Sequence, residues 1–400
     1  MEWPLARLDS LYDIARGGSP RPIKDFITED PNGINWVKIG DATASGKFIY
    51  ETKQKIKPEG IQRSRFVNKG DFILSNSMSF GRPYIMGTSG CIHDGWLVLS
   101  AKDERIDQDF LYHMLGSPFV FNQFDTLAAG STVRNLNIDL VSGVKIPLLP
   151  ITEQKRIVAL LDTVFVDLEQ TRAKTEQNLK NSRELFDSYL QQVFSQKGDG
   201  WVEKTLKEAS LDFGRGKSKH RPRNDASLYG GEYPFVQTGD VRNCEHLITK
   251  YSKTYNEVGL AQSKLWPKGT ICITIAANIA ETGILDFDSC FPDSVIGVVV
   301  NPEVTTIPYV EFLLQSFKAI LQAKGKGSAQ ANINMGTFEK LKFPFPSIDK
   351  QNEIVNSLNE IMISVQKLEV IYQKKLSSID ELKKSILQKA FSGELNTIAN

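Results

Sequence analysis

The stretch Glu153–Ser195 reads EQKRIVALLDTVFVDLEQTRAKTEQNLKNSRELFDSYLQQVFS. It holds neither Pro nor Gly and is rich in Glu, Gln, Lys and Leu, which enter a helix at little entropic cost. Positions 157, 161, 164, 168, 171, 175, 178, 182, 185 and 189 alternate steps of four and three, the seam spacing of a coiled coil. They read Ile, Leu, Val, Leu, Thr, Thr, Asn, Ser, Leu and Tyr, apolar at the ends and polar in the middle. At 1.5 Å per residue the helix spans roughly 65 Å. A stripe that long outruns one small domain and needs a partner of its own length.

The partner is a second copy. Positions 354, 358, 361, 365, 368, 372, 375, 379, 382 and 386 read Ile, Leu, Ile, Val, Leu, Tyr, Lys, Ile, Leu and Ile, a seam broken once, at Lys375. The flanks agree. Gln154 and Ile157-Val158 answer Gln351 and Ile354-Val355, and Leu185, Ser188, Leu190-Gln191 and Phe194-Ser195 answer Leu382, Ser385, Leu387-Gln388 and Phe391-Ser392.

The repeat extends over nearly the whole chain, and repeats decide a fold before local detail does. Trp3 and Leu8 match Trp201 and Leu206, and Gly18 is aligned with Gly216. Val37, Gly40-Asp41, Lys69-Gly70, Cys91 and Asp94 match Val236, Gly239-Asp240, Lys268-Gly269, Cys290 and Asp293. Gly130-Ser131 and Asn135 match Gly327-Ser328 and Asn332, and Pro147 matches Pro344. The order is globular unit, long helix, globular unit, long helix. The expected class is α+β: two tandem mixed units whose helices form an antiparallel intramolecular coiled coil, a pseudo-two-fold molecule. Within the units, Asp71–Ser75, Thr270–Thr274, Trp96–Leu99 and Ile296–Val300 read as strands. Phe110–Leu115 and Tyr309–Leu321 read as helices, the second closing at Lys324-Gly325.

Composition is ordinary for a globular chain of 400 residues: 41% hydrophobic, 24% charged, net charge +1. With no global basic field, any contact with nucleic acid has to come from locally clustered charge. Four unpatterned Cys suit a reducing compartment. No run reaches the length of a membrane span, and the opening Met-Glu-Trp-Pro-Leu-Ala-Arg has no apolar signal core. A cytoplasmic location is expected.

Catalytic signatures are missing. Gly216-Lys217-Ser218 lacks the earlier Gly of a phosphate loop, that position being Leu211. Glu51-Thr52-Lys53 has no matching acidic partner, and neither an amino-methylating Pro-Pro-aromatic run nor Gly-x-Ser-x-Gly occurs. Cys91/His93 and Cys244/His246 are isolated pairs, without the second pair a zinc site needs. No metal, cofactor or catalytic residue is therefore expected in this chain.

Basic loops are present. Arg215, Lys217, Lys219, Arg221 and Arg223 crowd one segment that holds His220 and no acid, and Arg16, Arg21 and Lys24 occupy its counterpart. Gly327-Ser328-Ala-Gln330-Ala-Asn332, entered from Lys326, mirrors Gly130-Ser-Thr132-Val-Arg134-Asn135. Such loops suit phosphates and base edges. A solvated loop explains one of them as well, but the pattern recurs in both units.

In this combination the chain resembles the specificity subunit of type I restriction–modification systems. The features that carry it are Trp-x-x-x-x-Leu opening each unit, Gly-Asp after an apolar strand, Lys-Gly before the next, and Gln then Ile-Val at each helix start. The closing Ala390-Phe391-Ser392-Gly393-Glu394-Leu395 also fits. The resemblance implies target recognition domains at 1–150 and 199–347, joined by helical regions at 151–198 and 348–400. It implies a non-catalytic subunit that binds double-stranded DNA, two methyltransferase subunits and, for restriction, translocase–nuclease subunits. S-adenosylmethionine, ATP and Mg²⁺ would then bind those partners. Each domain would read one half of a bipartite asymmetric target, with half-sites near one helical turn apart, about 10 bp. The expected DNA contacts are Arg16, Arg21, Arg82, Thr132, Arg134 and Asn135 in the first unit. In the second they are Arg215, Lys217, Lys219, Arg221, Lys326, Ser328, Gln330 and Asn332. Arg, Asn and Gln suit bidentate base contacts and Lys suits phosphates. A coiled-coil adaptor with protein-binding heads stays open, and salt-dependent duplex binding separates the two.

Overall fold

The computed structural model describes residues 3–76, 81–128, 135–196, 198–276, 279–326 and 335–394. The two long helices are Ile151–Ser195 and Ile348–Ser392, of 45 residues each. The chain divides into two compact units, residues 1–176 with 374–400 and residues 177–373. Each unit thus holds one globular head and a stretch of both helices. No helix among the described residues is long and apolar enough to cross a membrane.

Both heads are built on the same sheet. In the first unit the strand order is Tyr12–Arg16, Trp96–Ala101, Phe72–Ser75, Pro83–Met86, Phe48–Ile49. In the second it is Ser210–Arg215, Val295–Val300, Ile271–Thr274, Thr282–Leu285, Leu247–Ile248. Pairing is antiparallel except at the last, parallel strand of each. The central strands are buried along their whole length, so they read as continuous apolar runs and not as alternation. A two-stranded ribbon closes each head, Leu5–Arg7 against Lys145–Pro147 and Val202–Thr205 against Lys342–Phe345. The heads differ beside this frame. The first carries a further five-stranded sheet, while the second has a two-stranded antiparallel sheet of Tyr229–Phe235 and Lys253–Tyr255.

Within each unit the helix stretches run antiparallel. In the first, Lys383 reaches Glu169 at 2.9 Å and Arg172 pairs with Asp380, so numbers rise on one helix as they fall on the other. Phe110 of the head meets Phe391 edge-on. In the second, Arg183 reaches Glu369 at 2.8 Å, Leu190 and Phe194 share a core with Ile354, Val355 and Leu358, and Phe194 meets Tyr309.

The seam departs from strict heptads. Ile157, Leu161, Thr175 and Ser182 are buried, but Asn178 and Leu185 are exposed, and Leu179, Phe186 and Leu190 take the inward places. On the second helix Leu376 turns inward beside the exposed Lys375, and Leu387 is buried while Leu382 is exposed. A 3.6-residue helix drifts about 20° per heptad against a 3.5 repeat. Over four heptads that approaches the 100° of one residue, which is the observed slip. The helical stretch Tyr309–Leu321 also proves to be two helices, Ile307–Ser316 and Lys318–Lys326, interrupted at Phe317, whose ring packs on Phe343. The end expected at Lys324-Gly325 falls inside the second of these.

A buried glutamine opens each long helix. Gln154 accepts from the Asp107 N–H at 2.7 Å and donates to the Arg105 and Leu149 carbonyls at 2.9 and 2.7 Å. Gln351 accepts from Thr305 Oγ1 and the Thr306 N–H, and donates to the Val304 and Pro346 carbonyls. Both are fully buried, so each amide satisfies backbone groups that have no water to turn to. Replacing Gln351 by Leu orphans several of them and is expected to lower the unfolding free energy of that unit by about 2–4 kcal/mol. Urea unfolding followed by amide exchange at residues 304–306 reads this out, and an unchanged midpoint contradicts it.

Candidate nucleic-acid interface

One loop arrangement is built twice, once in each head. It follows the edge strand of the shared sheet. Gly17 donates its N–H to the Trp96 carbonyl at 2.9 Å, and Gly216 donates to Val295 at 2.8 Å. A Cβ on either glycine would lie only 2.0 or 2.2 Å from a backbone oxygen, so the close approach demands glycine. Gly17 is therefore the structural counterpart of Gly216, one residue before the Gly18 that sequence alignment selects.

The arginines follow the same plan. Arg16 Nε donates to the Asp94 carbonyl at 3.1 Å and Arg215 Nε to the Asp293 carbonyl at 2.6 Å. Arg21 and Arg221 each precede a cis-proline, and each guanidinium lies 3.9 Å from the carboxylate of Asp94 or Asp293. Arg223 Nη2 donates to both carboxylate oxygens of Asp293, at 2.7 and 2.9 Å, and Arg221 also donates to the Ser218 and His220 carbonyls. The segment that holds no acid in sequence is thus supplied with acid by the fold. His220 contacts Asp225 at 2.8 Å, and hydrogen bonds from Ser227, then His220, hold that carboxyl down at about 2. Lys217 and Lys219 point into solvent.

Asp94 is where the first unit's segments meet. Its carboxylate accepts from Ser19 Oγ at 2.6 Å, and that bond is the main cause holding the group below the usual aspartate range. Its carbonyl also accepts from Asn76 Nδ2 at 2.8 Å, and the Asn76 carbonyl accepts from the Leu136 N–H, beside exposed Asn135. Arg16, Arg21 and Asn135 are thereby gathered on one edge. Arg82 immediately precedes the strand Pro83–Met86, with its guanidinium 5.3 Å over the Tyr84 ring. In the second unit the Ile275 N–H donates to the Ser294 carbonyl, as the Asn76 N–H does to that of Gly95, and Gln322 of helix Lys318–Lys326 donates to the Ile279 carbonyl. Thr132, Arg134, Ser328, Gln330, Asn332 and the side chain of Lys326 lie outside the described residues. Ser19 and Asn76 escaped the sequence reading, and Arg223, read there as one of the crowded basic residues, was not among the expected contacts. The repeat of Asp94 as Asp293 was the available signal, since a carboxylate kept beside two basic loops implies a partner in each.

Beside each loop lies an open groove, about 1010 Å³ in the first unit and 240 Å³ in the second. Trp36 forms part of one wall and Phe235 stands at the equivalent place. In the first groove burial pushes the His93 imidazole down, and its Nδ1 accepts the Gly95 N–H at 2.8 Å, which leaves the proton on Nε2. Cys91 and Cys290 are buried behind these walls, paired with Trp36 and Phe235. Among the described residues no group of His, Cys, Asp and Glu is arranged to hold a metal.

Comparison with known proteins decides what this duplicated frame is. The family model for the type I restriction modification DNA specificity domain matches twice, at residues 1–179 and 198–386. The chain belongs to this family. It is a type I restriction–modification specificity subunit. The EcoBI specificity subunit of Escherichia coli is 22% identical, over 98% of this chain and 86% of its own. The StySPI specificity subunit of Salmonella potsdam is 21% identical, over 88% and 80%. The HsdS subunit of Thermoanaerobacter tengcongensis shares the fold with a TM-score of 0.61 at 22% identity, covering 98% of this chain and 97% of that one. A chain solved in work on complex assembly and conformational transition of the type I system reaches 0.74 at 20% identity, with the same coverage.

The Asp94 junction gives a direct test of the specificity subunit's loop frame. Its depressed carboxyl stabilises the fold above the ordinary aspartate value and loses that contribution as pH falls through the folded value. Ser19→Ala is expected to move the Asp94 titration up toward the ordinary aspartate range, read by carboxyl-carbon NMR. An unmoved titration contradicts the role given to Ser19.

Proposed function

We propose that this specificity subunit reads a bipartite, asymmetric DNA target, one half-site per head, and does no chemistry itself. The observation that carries the reading is the duplicated arginine loop. The same strand edge, the same close-packed glycine and the same Asp hold an arginine pair in both heads, while the surrounding side chains diverge. A common frame supports a like docking of both heads on the duplex, and divergent linings suit different base sequences. The long helices are proposed to fix the distance between the half-sites and to carry two methyltransferase subunits, with translocase–nuclease subunits added for restriction. S-adenosylmethionine, ATP and Mg²⁺ belong to those partners in this reading.

The test is a methylome. The subunit is expressed with its neighbouring methyltransferase subunit in a host lacking adenine methylation, and modified adenines are mapped. A single asymmetric bipartite motif that requires both proteins is expected, and methylation unchanged by omitting this chain contradicts the reading. Exposed Lys217 is assigned to phosphate. Lys217→Ala should then weaken binding to every duplex alike and reduce the slope of log affinity against log salt by about one. Relaxation at a single base position contradicts that assignment.

A further inference from the structure

The two grooves share their frame but exchange two side chains. Lys38 and Gln54 line the first groove, and the equivalent positions in the second are Gln237 and Lys253. The equivalence is structural. The Lys38 and Gln237 N–H groups donate to the carboxylates of Asp41 and Asp240 at 2.9 and 2.8 Å. Gln54 pairs across the strands with Trp36, and Lys253 with Phe235. The backbone at all four positions is therefore pinned in the same way, and only the side chains differ. Each groove keeps one amide and one ammonium, in opposite order.

This exchange separates two roles. A lysine that serves phosphate gives register and no sequence, and a shared frame meets the backbone at the same place in both heads. Where each head sets one ammonium into its groove from these two positions, service to phosphate would keep that ammonium at one of them; Lys217 lies outside the groove lining. Lys38 and Lys253 do not keep one position, and each is replaced by glutamine, whose amide is bidentate to adenine N6 and N7, as lysine is suited to guanine O6 and N7. Their setting fits the task. The groove wall at Trp36 and Phe235 is buried, the arginine loop lies alongside, and Lys253 Nζ sits 4.9 Å over the Tyr229 ring.

We propose that the pair Lys38 and Gln54 reads base edges in the major groove of the first half-site, and that Gln237 and Lys253 read the second. The proposal rests on the DNA-reading function above and names the residues that give each head its sequence. The double exchange Lys38→Gln with Gln54→Lys tests it without changing net charge, so the electrostatic, sequence-independent part of binding is held constant. The wild-type and exchanged subunits are each expressed with the methyltransferase subunit, and the methylated motif is mapped. The exchange is expected to alter the first half-site at one or two positions and leave the second intact. The mirror exchange, Gln237→Lys with Lys253→Gln, should do the reverse. Binding of the purified complex to the original duplex should fall about tenfold to a hundredfold.

If the wild-type motif is bipartite and both exchanges leave it unchanged, or one exchange alters both half-sites, the assignment is overturned. A wild-type complex with no bipartite motif overturns the DNA-reading function itself. Where an exchanged subunit yields no methylation, the single variants Lys38→Ala and Gln54→Ala decide. Relaxation at one base of the first half-site supports the assignment, and uniform loss over all sequences overturns it.

Discussion

The buried amide at the start of each long helix is the constraint on which the rest depends. Gln154 and Gln351 are fully buried and bond to backbone groups of the segments that precede the head's own helices. Without them the junction between head and helix would be only an apolar contact, which tolerates sliding. Hydrogen bonds to two or three specific carbonyls and amides do not tolerate it. The aromatic contacts Phe110–Phe391 and Phe194–Tyr309 then add non-directional burial around a fixed joint. In the proposed reading, a joint fixed by such bonds is what would let a long helix set a distance.

The loop frame applies the same economy to charge. Net charge is +1, and Asp94 and Asp293 temper the arginines nearest them. The arginine side chains are exposed but tethered, so in the proposed reading they would meet a polyanion with part of their conformational freedom already lost. Binding by such loops relies on placement more than on a broad basic field, which suits a protein that has to discriminate among sequences rather than coat DNA.

The architecture was legible because it occurs twice. A single seam with Thr, Thr, Asn and Ser in its middle argues weakly for a coiled coil, and its recurrence from Ile354 to Ile386 turns it into a fold. The exact inward row was not legible, because heptad counting ignores the drift of a 3.6-residue helix and so selects Leu185 and Lys375 over Phe186 and Leu376. The interruption at Phe317 was hidden for a similar reason: its ring is anchored by Phe343, a contact distant in sequence. At the site, the crowded basic residues were visible and the acids facing them were not, since Asp293 joins Arg215 and Arg223 only through the sheet. Trp36, Lys38 and Gln54 gave no signal as a set, because a strand pairing and a turn bring them together.

The central claim is that the helices act as a rigid ruler between two independent readers. Inserting one heptad, about two turns, at matched places in both long helices keeps the seam in phase and lengthens the ruler by roughly 10 Å. Mapping the methylated motif of this variant tests the claim most directly. The account predicts two unchanged half-sites separated by a longer spacer. Altered half-sites, or an unchanged spacer, would contradict it.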